Sequence, residues 1–210
     1  LLAALEHPPH MTVHPVTFQD RVRGALGGTI AGIGRGLHRM HVHPDAITAV
    51  GLLVVVGAAV LIGRGDIQWG AIVLILGLPL DALDGAVARA GNRTGKFGGV
   101  LDSTFDRAAD ALIYDRLAYY FAGEGERGNL VLSLAALTGA FLVSYVRARA
   151  GEAGLAVRVG IMDRLVRLIL VLVALLVPPL LVPGLWLLAV GSWFTVGQRM
   201  WYVRGHIDRA

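Results

Sequence analysis

Apolar residues along this chain fall into six long runs that are separated by short polar segments. A membrane-crossing helix needs about 20 mostly apolar residues, and each run approaches that length. The runs are Ala46–Ile62, Gly70–Arg89, Gly98–Phe121, Leu130–Arg147, Leu165–Leu181 and Leu185–Val203. The pattern predicts an all-α integral membrane protein with six transmembrane helices. Pro178, Pro179 and Pro183 predict a short turn between the last two helices.

The segment before the first run has a different pattern. In residues 17–40, apolar positions recur at helical spacing among arginines and glycines, which predicts an amphipathic helix on the cytoplasmic membrane surface. We therefore expect residues 17–210 to form one membrane domain. Residues 1–16 are expected to be an N-terminal extension, either disordered or added upstream of the native start.

Composition narrows the protein class. The chain is 55% hydrophobic and 16% charged, whereas soluble domains carry about 25% charged residues. So high a hydrophobic fraction with so few charges excludes an intrinsically disordered protein. The absence of cysteine excludes a disulfide framework, cysteine-ligated zinc and a thiol nucleophile. The net charge of +4 comes from arginines between the apolar runs, which favours a membrane topology signal over nucleic-acid binding.

The distribution of basic residues predicts the orientation. If the N-terminus is cytoplasmic, the outer loops contain only Arg64 and Arg127, and the other loop arginines and Lys96 fall on the cytoplasmic side. We therefore expect a multi-pass protein of the cell membrane with both termini in the cytoplasm.

Four aspartates occur where the second run ends and the third begins. Asp81 and Asp84 are spaced i, i+3, and Asp102 and Asp106 are spaced i, i+4, so each pair shares one helix face. The connection over residues 90–97 is short, which predicts that these two helices are antiparallel neighbours. The four carboxylates would then converge at the cytoplasmic end.

Acidic residues at a membrane boundary usually have a function and a partner. Oxygen ligands suit Mg²⁺ or Mn²⁺, and a pair of such ions suits phosphoryl chemistry. A transporter with an acidic ion site is an alternative, but it predicts acids at mid-span and broken helices. A purely structural role leaves the convergence of the acids unexplained.

The acidic segment resembles the signature of the CDP-alcohol phosphotransferase family. The matching positions are Asp81, Asp84, Gly85, Ala88, Arg89, Gly98, Asp102 and Asp106. The resemblance implies a homodimeric six-helix enzyme that transfers a substituted phosphate from a CDP-linked donor to an alcohol and releases CMP.

The same resemblance implies roles for the four acids. Asp81, Asp84, Asp102 and Asp106 would bind two Mg²⁺ or Mn²⁺ ions, and Asp106 would also be the general base. Direct attack by the acceptor hydroxyl is the family's precedent. A covalent intermediate on an aspartate is the alternative that the residues leave open.

The entry to the first run also resembles the family. This resemblance implies that the donor contacts Asp45, Ala46, Ile47 and Thr48, together with Gly85 and Arg89 from the signature. Other interpretations are an N-cap for Asp45, helix packing for Gly85 and snorkelling at the interface for Arg89.

The segment from Ser144 to Arg167 is similar to the bacterial phosphatidylinositol-phosphate synthases within this family. That similarity implies CDP-diacylglycerol as donor and inositol 3-phosphate as acceptor. The residues implied in binding the acceptor phosphate are Ser144, Arg147, Arg167 and Arg199. Arginine suits a phosphate because its guanidinium is a bidentate donor, although each arginine could instead serve topology or contact lipid headgroups.

This segment departs from the synthase pattern at two positions, and a second acceptor fits the same pocket. Gly151 and Val166 replace acidic residues of that subfamily. Glycerol 3-phosphate carries the same phosphate and is the alternative acceptor.

Overall fold

Six α-helices in succession account for most of the chain. The computed structural model describes residues 28, 31–37, 39–41, 43–91 and 96–207, without the side chains at positions 44, 45, 81, 82, 84, 88, 89 and 96. The helices are α1 (Pro44–Gly63), α2 (Ile67–Ala90), α3 (Lys96–Gly123), α4 (Arg127–Glu152), α5 (Arg164–Leu176) and α6 (Leu181–His206). The described residues contain no strand, so the predicted all-α class is confirmed.

Prolines and one aspartate fix the helix boundaries around the site. α5 begins after Asp163, whose side chain accepts a hydrogen bond from the backbone N–H of Val166 at 3.0 Å. It ends at Leu176 because Val177 is extended before Pro178, and proline disfavours a helical preceding residue. The fifth predicted run is therefore split, and a short 3₁₀ turn, Pro178–Leu180, follows it.

One local prediction was wrong. Pro183 lies in the first turn of α6 and not in the connection, because a missing N–H is tolerated at a helix start. Asp45, predicted to lie close to the N-cap of α1, is two residues beyond it. His43 occupies that position without a side-chain cap, and Pro44 is the first helical residue.

Within the described residues, four helical segments are long and apolar enough to cross a membrane: Ala46–Gly63, Ile67–Val87, Arg127–Glu152 and Pro178–His206. These segments belong to α1, α2, α4 and α6. They support the predicted membrane character of the chain. α3 carries several charged residues, and α5 has only 13 residues.

The helices pack in pairs that are not all consecutive along the chain. α1 packs against both α2 and α3, α4 packs against α3 and α6, and α5 packs against α2 and α6. Among the described residues, α2 and α3 are not one of the extensively packed pairs, although both line one cavity, and their direct packing as antiparallel neighbours stays a prediction. Small residues bring α1 and α2 together, since Gly70 and Gly77 of α2 lie against Ile62 and Val54 of α1 and let the two backbones approach.

The core is formed where the helices meet. Its fully buried side chains include Ile62, Leu117, Leu175, Leu185 and Leu188, which come from α1, α3, α5 and α6. Because the helices are joined by short connections, α1, α3 and α5 begin at the end of the bundle where α2, α4 and α6 end. We name this the site end.

Part of the predicted amphipathic helix is described. Residues 31–37 are helical, and a Cβ added at Gly34 would lie 2.7 Å from the Cβ of Ala86 on α2. This segment therefore packs closely on α2 at the site end. Its placement on a membrane surface stays a prediction, and the rest of residues 17–40 lies largely outside the described part.

Candidate active site

Three aspartates lie one turn apart along α3 at the site end: Asp102, Asp106 and Asp110. The Asp106 carboxylate contacts the Arg164 guanidinium at 2.5 Å, and Asp110 contacts Arg167 at 3.1 Å. The two arginines are spaced i, i+3 on α5, and the two acids are spaced i, i+4 on α3. Two successive ion pairs therefore join these helices.

A polar cavity of about 480 Å³ opens beside the ion pairs, between α3, α4, α5 and α6. Its lining includes all four residues predicted to bind the acceptor phosphate: Ser144, Arg147, Arg167 and Arg199. Asp102 and Asp106 line the same cavity. The fold thus brings the predicted phosphate-binding residues to two of the predicted metal ligands.

Arg167 is the most enclosed basic group of this cavity, with 3% of its side chain exposed. Its Nη1 donates to the carbonyl of Met162 at 3.1 Å, and its Nη2 donates to Asp110 at 3.1 Å. Its Nε is buried and has no hydrogen-bond partner in the described part of the chain. Since buried polar groups are nearly always paired, this N–H needs a partner that the described residues do not supply.

Arg199 is also buried and supports the cavity wall. Its Nε donates to the carbonyl of Val159 at 3.0 Å, and its Nη1 donates to that of Val143 at 2.5 Å. The side chain therefore joins the connection before α5 to α4. Gly160 lies against it with φ +124°, and a Cβ there would lie 2.5 Å from the Thr195 methyl group. Arg199 thus has a structural role, beside any contact with an acceptor.

A second, largely apolar cavity lies on the other side of the acids. Thr48 lines it from α1, Gly77 and Leu78 from α2, and Leu168 from α5. The two cavities share four residues: Asp102, Asp106, Asp110 and Arg164. The acids of α3 therefore form the boundary between an apolar compartment and a polar, arginine-rich compartment.

The predicted donor residues are only partly described. Thr48 lines the apolar cavity, Ile47 is buried with 7% exposure, Ala46 is exposed, and Gly85 is half-buried. The side chains of Asp45 and Arg89 lie outside the described part, so their predicted contacts stay predictions.

The predicted metal ligands are likewise only partly described. Asp102 and Asp106 share both cavities, whereas the side chains of Asp81 and Asp84 lie outside the described part. The side chains that the structure does describe contain no group of three or more metal-binding residues. The four-carboxylate metal centre therefore stays a prediction.

Sequence reasoning gave little weight to two residues of the site. Asp110 continues the i, i+4 spacing of Asp102 and Asp106, and that spacing was the available signal. Arg164 lies among the cytoplasmic loop arginines and in the segment that resembles the known synthases, but it was assigned no role in the site on sequence grounds. Nothing in the sequence indicates its contact with Asp106, because that contact depends on how α5 lies against α3.

Comparison with known proteins identifies the family. The family model for CDP-alcohol phosphatidyltransferases matches residues 41–197, which covers most of the chain and every residue that lines the two cavities except Arg199. The chain belongs to this family. The predicted resemblance is thereby confirmed.

Relatives and solved structures agree with this assignment. The chain is 40% identical over 182 residues to the phosphatidylinositol phosphate synthase of Streptomyces avermitilis, a match that covers 80% of this chain and 75% of the relative. It is similar to the crystal structure of the Mycobacterium tuberculosis phosphatidylinositol phosphate synthase with CDP-DAG bound, with a TM-score of 0.77, 35% identity, and coverage of 81% and 91% of the two chains. A structure of the same enzyme with manganese and citrate gives a TM-score of 0.78 at 35% identity and covers 83% of this chain and 88% of that chain.

Proposed function

We propose that this protein is a phosphatidylinositol phosphate synthase. It transfers the phosphatidyl group from CDP-diacylglycerol to inositol 3-phosphate and releases CMP. The observation that carries this proposal is the pair of cavities that meet at Asp102 and Asp106, one apolar and one lined by arginines. A lipid donor and a phosphorylated acceptor have these opposite chemical requirements.

The polar cavity suits the acceptor. A phosphate monoester carries close to two negative charges, and arginines bind it through charge-assisted hydrogen bonds. Ser144, Arg147, Arg167 and Arg199 line the cavity from three different helices. The unpartnered Nε–H of Arg167 is a donor for a phosphate oxygen.

The apolar cavity suits the donor. Leu78 and other aliphatic side chains line it, and Thr48 adds a hydroxyl at its site end. We propose that the CDP moiety contacts residues 45–48, Gly85 and Arg89. Arg89 would pair with the donor phosphates, for which a guanidinium is well matched.

The oxygen ligands at the boundary between the two cavities fit a divalent metal ion. Asp102 and Asp106 provide carboxylate oxygens one turn apart, and oxygen-only ligands favour Mg²⁺ or Mn²⁺. On α2, position 81 is one turn beyond the cavity-lining Gly77 and Leu78, on the same helix face. We propose that Asp81, Asp84, Asp102 and Asp106 hold two such ions. When bound, the ions neutralise charge on the donor pyrophosphate.

Asp106 is the general base in this proposal. The acceptor hydroxyl loses its proton to the Asp106 carboxylate as its oxygen attacks the phosphatidyl phosphorus. The bond from that phosphorus to the bridging oxygen of CMP then breaks, and CMP leaves. Arg164 contacts Asp106 at 2.5 Å and holds this carboxylate at the boundary between the two cavities.

The membrane arrangement is part of the same proposal. We propose that all six helices cross the membrane, with the site end and both termini in the cytoplasm, where the soluble acceptor is found, and that the enzyme is a homodimer. Because the chain has no cysteine, single variants Ala153→Cys and Glu124→Cys can be labelled from either side. The cysteine of Ala153→Cys should react with a thiol reagent added on the cytoplasmic side, and that of Glu124→Cys with a reagent added outside. The reverse labelling would refute the proposed sidedness.

The test of the function is CMP release by the purified protein with CDP-diacylglycerol, Mg²⁺ and inositol 3-phosphate, with the lipid product identified by mass. Asp106→Asn should lower turnover by at least about 10²-fold, whereas Asp115→Asn, on the exposed side of α3, should not change it. Release of CMP only with glycerol 3-phosphate would support the phosphatidyl transfer but refute inositol 3-phosphate as the acceptor. No release with any acceptor would refute the transferase.

A further inference from the structure

Asp110 lies outside the signature acids but at the centre of the site. It lines both cavities, and its carboxylate contacts the Arg167 guanidinium at 3.1 Å. Its side chain is 24% exposed, whereas that of Arg167 is 3% exposed. The proposed chemistry uses Arg167 but assigns no role to Asp110.

Asp110 helps to fix the orientation of the Arg167 guanidinium through a hydrogen bond. A guanidinium is planar, so bonds to two of its nitrogens fix its plane and the direction of its third nitrogen. Nη1 is bonded to the carbonyl of Met162 and Nη2 to Asp110. With both bonds in place, the direction of the buried, unpartnered Nε–H is set.

We propose that Asp110 is a positioning residue for the acceptor phosphate. It holds the Arg167 guanidinium so that the Nε–H donates to a phosphate oxygen in the polar cavity. The inference rests on the proposed function, since the anion in that cavity is the phosphate of the acceptor alcohol.

Positioning and simple electrostatics predict opposite results. Asp110 is an acid at an anion site, so through its charge alone it weakens phosphate binding, and its removal should strengthen binding. If Asp110 acts by orienting Arg167, removal of the carboxylate weakens binding instead. The sign of the change in acceptor KM therefore separates the two roles.

Two substitutions separate position from charge. Asp110→Ala removes the oxygen that accepts from Nη2, and it should raise the KM for inositol 3-phosphate about tenfold, the effect of one lost hydrogen bond. Asp110→Asn keeps an accepting oxygen and should change that KM by less than about threefold. In both variants, kcat and the KM for CDP-diacylglycerol should stay within about twofold, since neither depends on the acceptor phosphate.

A matched control lies on the same helix. Asp115 contacts Arg116 at 3.6 Å, and 61% of its side chain is exposed. Asp115→Ala should leave all these constants unchanged. A lower acceptor KM in Asp110→Ala would indicate a purely electrostatic role. An unchanged KM with a lower thermal midpoint would indicate a purely structural one, and either result would overturn the proposal.

A binding measurement separates this inference from the proposed function. Inorganic phosphate should raise the thermal unfolding midpoint of the wild-type protein and of Asp110→Asn, and raise it less in Asp110→Ala. If that pattern holds while the wild-type protein releases no CMP, the proposed function fails and the positioning role stands. An equal phosphate-induced shift in all three proteins would refute the positioning role.

A further variant addresses the case in which Asp110→Ala does not fold. Asp110→Glu keeps the charge and moves the carboxylate by one methylene, so it should also raise the acceptor KM, because Arg167 is displaced. An acceptor KM for Asp110→Glu equal to that of the wild-type protein would refute the proposal.

Discussion

Replacement of Arg147 by glutamine tests the phosphate-binding role of the polar cavity without disturbing the core. Arg147 is exposed on α4 and lines that cavity. A hydrogen bond to a charged group contributes about 1.5–3 kcal/mol. Because the side chain is exposed, we expect the lower end, about 1.5 kcal/mol. That corresponds to about a tenfold higher KM for inositol 3-phosphate, with kcat nearly unchanged.

The matched control is Arg149→Gln, two residues further along α4. Arg149 pairs with Glu152 at 2.5 Å, has 70% of its side chain exposed, and does not line the polar cavity. Each substitution lowers the net charge of +4 by one unit. The assay is steady-state CMP release with varied acceptor. Equal KM increases in both variants would show a long-range charge effect, and no change in Arg147→Gln would refute its assignment to the pocket.

Three further predictions concern the base, the connection before α5 and the metal. Asp106→Asn should lower kcat by about 10²–10⁴-fold, the usual contribution of a general base, and a loss of less than tenfold would contradict that role. Gly160→Ala should lower the midpoint of thermal unfolding and the rate of CMP release, because φ of Gly160 is +124° and a Cβ there would meet Thr195. The control is Gly197→Ala, since the space around a Cβ at Gly197 is open. Equal unfolding midpoints in the two variants would refute the argument. Removal of divalent ions with EDTA should abolish CMP release, and Mg²⁺ or Mn²⁺ should restore it; turnover that persists in EDTA would refute the metal requirement.

The helices and the position of the site at one end were largely predictable from the sequence. Long apolar runs indicate membrane helices directly, and the signature spacing predicts that Asp102 and Asp106 lie on one face of α3. The four residues of the predicted phosphate pocket do line one cavity, although they are far apart along the chain. The resemblance of the Ser144 segment to known synthases supplied that grouping; periodicity alone could not have done so.

The order of helix packing could not be obtained in the same way. A short connection predicts that α2 and α3 are neighbours, but it does not predict that α1 packs against both of them or that glycines of α2 lie against α1. The contacts of Arg164 and Arg167 with the α3 acids follow from this arrangement. Such contacts depend on the approach of two distant helices, which spacing within one helix does not determine. The buried hydrogen bonds of Arg199 were missed for the same reason.

The most direct test of the account compares acceptors that differ by one phosphate. CMP release by the wild-type protein is measured with CDP-diacylglycerol and Mg²⁺, with inositol 3-phosphate and free inositol in parallel at matched concentrations. If the arginines of the polar cavity bind the acceptor phosphate, turnover should require inositol 3-phosphate, and Arg167→Gln should suppress it at low acceptor concentration. Equal turnover with free inositol would contradict the central claim that this cavity recognises the phosphate.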